Sequence, residues 1–260
     1  MFISFPIMAG HSQFKNIMHR KGAQDKKRAK VFAKHSREIM VAVKQGGEDP
    51  EANPRLRNAI KDARADNMPN DRVDKAIKSA LGADADAHNY ENIRYEGYGS
   101  GGVAIIIEAL TDNRNRTASD LRAMFSRNGG NLGETGSVAF MFQQKGEILY
   151  PLSVADEEEI FEAAAAAGAE NVESTKAGPV ILTGPDAYGS VRDTLEARYG
   201  EPERAGLVWR PDTLAPADRE IAEKVLKLID ALEENDDVQR VFTNVDIDQD
   251  TYTQLMAQSA

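Results

Sequence analysis

Apolar positions recur every three to four residues over the first third of the chain, a spacing that predicts helices. The first spans about Ala23 to Gln45 and stops at Gly46-Gly47, since glycine readily takes the left-handed turn that ends a helix. Asn53-Pro54 opens a second helix running to about Asn67, with Asn as the cap and Pro in the first turn, where its missing N–H costs nothing. Pro69 interrupts the chain. Val73, Ile77 and Leu81, four residues apart, then mark a third helix with Gly82 as its stop. Three short helices with short connections make a small bundle.

Beyond a polar segment at 82–89 the pattern turns to that of strands. Arg94–Gly97 and Val103–Leu110 read as strands around the turn "GYGSGG", the second β-branched enough to be buried on both faces. Thr117–Arg127 reads as a helix stopped by Asn128-Gly129-Gly130, and Ser137–Gln143 with Glu147–Tyr150 as a hairpin across Gln144–Gly146. A second α+β set follows: helix 155–167, strands near 171–175 and 179–183, helix 186–199 and strand 204–209. A helix from Pro216 to Leu232 and a strand at Val238–Ile247 close the chain, completing a β-α-β-β-α-β unit begun near Arg94. The expected class is α+β in three domains. A basic helical domain occupies 10–82, a ferredoxin-like domain is assembled from 90–152 and 211–247, and a second ferredoxin-like domain, 153–210, is inserted into it.

Composition narrows the chemistry. The chain lacks cysteine, which excludes disulfides, thiol catalysis and cysteine-ligated zinc, and suits a reducing compartment. An apolar run such as Val103 to Ile107 is far too short to span a bilayer, so no membrane partner and a cytoplasmic location are expected. The formal net charge of −10 conceals a segregation of sign. Residues 10–44 hold ten Lys/Arg against two acids, residues 45–81 balance at seven each, and residues 82–260 hold fifteen bases against thirty-three acids. A basic arm on an acidic body predicts a polyanionic partner for the arm alone.

On a helical projection of residues 26–44, Ala29, Phe32, Ser36, Ile39, Met40 and Val43 share an arc of about 100°. Lys26, Lys27, Lys30, Lys34, Arg37 and Lys44 fill a neighbouring arc, with Arg28 on the far edge, and Lys15, Arg20 and Lys21 extend the positive tract upstream. A lysine-rich face is often simply solvated. Here acids at i±4, which would offset the self-repulsion, are nearly absent, whereas phosphate contact would release counterions. His11, Phe14 and His19 interleave with the cations and are candidates for stacking on exposed bases. No base-reading constellation is evident, so contact with the phosphate backbone or recognition of shape is expected.

Arg114 and Arg116 flank Asn115 where a strand gives way to a helix N-terminus. Two readings stand: a second polyanion contact, or an N-cap formed by Asp112 or Thr117 beside two solvated arginines. The glycine-rich segment 128–137 suits either a mobile or a tightly turned loop. "GYGSGG" leads into a strand and lacks the lysine of a phosphate-binding loop, and "DIDQDT" at 246–251 lacks the glycine and glutamate of a calcium loop. None of the four histidines has a partner at metal-ligand spacing. No catalytic motif, cofactor, metal site or small-molecule substrate is expected.

The blocks "MAGHS" (8–12), "HRKGAQDKKRAKVFAK" (19–34), "NMPNDRVDKAIK" (67–78), "YEGYGSGGVAIIIEALTDNRNRT" (95–117) and "NGGNLGETGSVAFMF" (128–142) resemble the YebC-type proteins. A mitochondrial relative of that family is the translational activator of cytochrome oxidase. The resemblance implies one helical and two α+β domains, a start at Met8, and a non-enzymatic role in gene expression. It implies either a DNA-binding transcriptional regulator or a ribosome-associated factor that contacts rRNA and assists translation through difficult stretches such as proline runs. Gln13-Phe14 and Met18 stand where the family usually has Lys-Trp and Lys, which thins the cationic contacts at the extreme N-terminus.

Overall fold

The computed structural model describes the backbone of residues 24–82 and 90–258, and side chains from 28 to 82 and 90 to 255. The helical domain comprises α1 (Gln24–Gly46), α2 (Pro54–Ala65) and α3 (Asn70–Leu81). Asn53, only 4% exposed, joins the first two. Its side-chain oxygen accepts from the Leu56 N–H at 3.1 Å as the cap of α2, while its amide donates to the Ala42 and Gly47 carbonyls at 2.7 and 2.8 Å. Of the projected apolar stripe, Phe32, Ile39 and Val43 enter a core with Leu56, Ile60 and Val73, whereas Ala29 stays exposed.

The second domain carries β1 (Glu91–Tyr98), β2 (Ala104–Thr111), α4 (Arg114–Arg127) and β3 (Asn131–Leu132). Its first two strands pair antiparallel around a 3-10 turn at Ser100–Gly102, where Gly101 and Gly102 have φ of 70° and 75°. Those positive angles explain the glycine-rich "GYGSGG" as a hairpin turn. After the insertion the chain returns with α7 (Arg219–Glu233) and β9 (Val238–Thr243), and the sheet order is β3-β1-β2-β9. Ile105 and Ile107 of β2 pack under Leu121, Phe125, Val225 and Ile229 of the two helices, while Ala104 and Ile106 face a separate apolar cluster, so β2 is buried on both faces. The hairpin of β1 and β2 before the first helix is as expected, but only the short β3 follows that helix before the insertion, so the main succession of this domain is β-β-α-β-α-β rather than β-α-β-β-α-β. A short parallel pair, β8 (Ala215–Pro216) with β10 (Val245–Asp246), and a final helix α8 (Gln249–Gln258) complete it; Leu255 anchors that unpredicted helix in the core.

The inserted domain has the order β4 (Phe142–Leu149), α5 (Glu157–Ala167), β5 (Asn171–Ser174), β6 (Pro179–Thr183), α6 (Tyr188–Tyr199), β7 (Arg204–Pro211). This is the β-α-β-β-α-β succession, with antiparallel sheet order β5-β6-β4-β7. The expected hairpin over 137–150 is replaced by a 3-10 turn at Ala139–Met141 and the single strand β4. Gly146 is not a turn residue. A Cβ there would lie 2.7 Å from the Tyr188 ring of α6, so its glycine reflects close helix–sheet packing. Because β4 pairs with β6 and β7, the inserted unit runs over 142–211 rather than 153–210.

The two sheet domains meet through apolar contact. Ala104, Ile106 and Phe242 cluster with Met141, Phe142, Val208 and Trp209, and Arg94 lies 4.9 Å from the Trp209 ring centroid. Among the described residues, none of the helical domain belongs to an apolar cluster of the sheet domains. The contacts that seat it are polar.

Candidate nucleic-acid interface

The cationic tract divides in two. His11, Phe14, Lys15, His19, Arg20 and Lys21 lie outside the described residues, and Lys26 and Lys27 are described only as backbone of α1. Arg28 is exposed. Further along, the stripe turns inward onto the body. Lys30 Nζ donates to the Glu234 carbonyl at 2.8 Å and Lys34 Nζ to the Glu233 carbonyl at 2.8 Å. Arg37 donates to the Asp236 carbonyl and stands 3.6 Å from the Asp237 carboxylate.

These three cations, at i, i+4 and i+7, meet the C-terminal end of α7, where carbonyls lack helical partners and the macrodipole is negative. The same end carries "EENDD" at 233–237, acids that oppose the dipole and make an external cation favourable. Burial lowers the Lys34 ammonium below its ordinary value, with Glu233 and Asp236 pulling the other way. Acids within a turn on α1 are scarce because its partners lie about 200 residues away in sequence. The signal available in the sequence was the acid run at a helix C-terminus.

A second polar contact holds the other side of the helical domain. Lys61 pairs with Glu196 and, at 3.6 Å, with Glu201, while Arg192 of α6 donates to the Asn58 side chain.

The Arg114–Arg116 loop lies on the same edge as Arg37. Its cap is Asn113, whose side chain accepts from the Arg116 N–H at 3.1 Å, rather than Asp112 or Thr117. Thr117 is instead buried and donates to Asp237 at 2.8 Å. Arg116 bridges Asp112 at 2.9 Å and Asp237 at 2.8 Å, and those carboxylates raise its pKa. Thus Arg37 and Arg116, read from sequence as parts of two separate patches, converge on Asp237, which is 6% exposed. They line a cleft of about 340 Å³ with Asp112, Asp120, Asp236 and Asp237, a setting more acidic than basic. Arg114 and Asn115 remain exposed, Arg114 standing 3.8 Å from Glu91.

The glycine-rich segment at 128–137 is tightly held. Glu96 of β1, 1% exposed, accepts from the Val138 and Ala139 N–H groups at 2.9 Å each and from Arg94 at 3.0 Å. Burial alone would raise its pKa, but the N–H groups of Val138, Gly136 and Ala139, aided by Arg94, bring it below the ordinary value. This buried carboxylate fixes the 3-10 turn that presents Phe140 to solvent, 71% exposed. Among the described residues no group of His, Asp and Glu could hold a metal ion, and no helix is long and apolar enough to cross a membrane.

Comparison with known proteins agrees with this architecture. Residues 12–83 match the family model described as the TACO1/YebC protein N-terminal domain, and residues 90–245 match that of the TACO1/YebC second and third domain. The crystal structure of a conserved hypothetical protein from Aquifex aeolicus is similar, with 42% sequence identity and a TM-score of 0.78 over 89% of this chain and 96% of that one. With both models matched and the three-domain α+β fold in place, the chain belongs to the TACO1/YebC family.

Proposed function

We propose that the chain is a non-enzymatic regulator of gene expression that binds nucleic acid through its N-terminal arm. The supporting observation is the segregation of charge: ten bases against two acids over residues 10–44, on a body with more than twice as many acids as bases. Such a body repels a phosphate backbone, so while Lys30, Lys34 and Arg37 face α7 contact begins at Lys15, Arg20, Lys21, Lys26, Lys27 and the exposed Arg28. Arg116 is committed to Asp112 and Asp237, which leaves Arg114 and Asn115 as the only part of the second loop available for a further contact.

The family model for residues 90–245 bears the name of a transcription regulator, which supports duplex DNA as the partner. A ribosomal RNA partner is the second reading, favoured by His11, Phe14 and His19 among the cations, since unstacked bases accept aromatic side chains. Gel shifts on promoter duplexes and co-sedimentation with ribosomes, each over a salt series, separate the two. Ribosome binding that persists at physiological salt, beside weak and sequence-blind DNA binding, decides for RNA. Charge reversal at Lys26 and Lys27 abolishes either interaction; a folded variant that binds as the parent does refutes the arm as the site.

A further inference from the structure

We infer that the contact between α1 and the end of α7 is a latch, broken when nucleic acid engages the arm; this rests on the nucleic-acid reading above. Lys30, Lys34 and Arg37 continue the cationic stripe of Lys26 and Lys27 along one helix. All three donate to backbone carbonyls of the 233–237 segment. A phosphate backbone that follows the stripe meets these groups next, and the same ammonium or guanidinium cannot satisfy a carbonyl of α7 and a phosphate together. Competition favours the phosphates, which carry full charge and release condensed counterions.

The docked state is held by hydrogen bonds and ion pairs, most of them between side chains less than a third exposed, and a phosphate can replace them because it offers each cation a fully charged acceptor. Among the described residues no apolar cluster bridges the helical domain to the body. An interface of this kind, within one chain, permits relative domain motion by default. Release would separate the helical domain from the body and free the carbonyls of Glu233, Glu234 and Asp236, whose side chains are part-buried at Glu233 and already exposed at Glu234 and Asp236. The latch therefore couples occupancy of the arm to the placement of the helical domain on the body.

The chain has no cysteine, so Ser79→Cys on α3 and Arg122→Cys on α4, both exposed positions, give two unique labels in the full-length protein. The distance between spin labels is measured with and without short single-stranded RNA and duplex DNA. The expected result is one narrow distance in the free protein and a longer, broader distribution at saturation. In a second arm, Glu233→Gln, Glu234→Gln and Asp236→Asn are combined to weaken the latch without touching the arm or Asp237. Nucleic-acid affinity should then rise about 3- to 10-fold, since less of the protein is held in the competing state. Binding that leaves the label distance unchanged, or a triple variant of unaltered affinity, overturns the latch while the nucleic-acid reading stands. Failure of the parent and the triple variant to bind either probe overturns both.

Discussion

Glu96 offers the sharpest test of how the second domain is built. Its carboxylate is buried, accepts two backbone N–H groups and one guanidinium N–H, and thereby holds the segment leading to Phe140. Glu96→Ala leaves the Val138 and Ala139 N–H groups without an acceptor, in a place where Val138 is fully buried. Each orphaned donor costs about 1–3 kcal/mol. Removing the carboxylate returns part of its desolvation cost, so the net loss should be about 2–4 kcal/mol. Glu96→Gln keeps one acceptor oxygen and should lose about half as much. With a urea dependence of about 1–3 kcal/mol per molar, the alanine variant should shift the unfolding midpoint of this domain by roughly 1–2 M. The pH dependence carries a sign. The folded pKa lies below the ordinary 4.5, so the stabilisation is complete above 4.5 and disappears as pH falls through the lower folded value. Glu96→Gln should flatten that part of the acid limb, and amide exchange should quicken at Gly136, Val138 and Ala139. An alanine variant within about 0.5 kcal/mol of the parent, with exchange unchanged in the segment, would refute the carboxylate as its anchor.

Two further outcomes follow from the same reasoning. Asp237→Ala strips the acceptor shared by Thr111, Thr117 and Arg116 and should cost about 3 kcal/mol, whereas Arg116→Gln, at a half-exposed end of the network, should cost about 1 kcal/mol or less; equal costs in chemical denaturation would contradict the ranking. Burial raises the pKa of Tyr150 to about 12, with Glu196 and Tyr199 adding to it, so the folded state holds its proton where the unfolded chain loses it near 10. Stability should therefore be intact below pH 10 and fall as pH rises toward 12, and Tyr150→Phe should remove that component, as followed by phenolate absorbance.

Local physics explains what the sequence determined by itself. Helix boundaries at Asn53-Pro54 and Gly46-Gly47, the Gly101-Gly102 hairpin turn, and the double burial of β2 each depend on residues within a few positions of one another. The charge segregation and the α+β class were equally legible, because composition and period need no partner. What only the tertiary structure decided depends on residues remote in sequence. Gly146 looked like a turn, but it lies within β4 against Tyr188, and the pairing of β4 with β6 and β7 moves the boundary of the inserted domain. The 128–137 segment looked equally suited to motion, until Glu96 proved to be its anchor from about 40 positions upstream. Lys30, Lys34 and Arg37 read as a free cationic face because their acceptors are carbonyls at the far end of the chain. Side-chain charge can be counted along a sequence, but a helix end exposes its negative pole as backbone, and only the fold brings that pole to a cation.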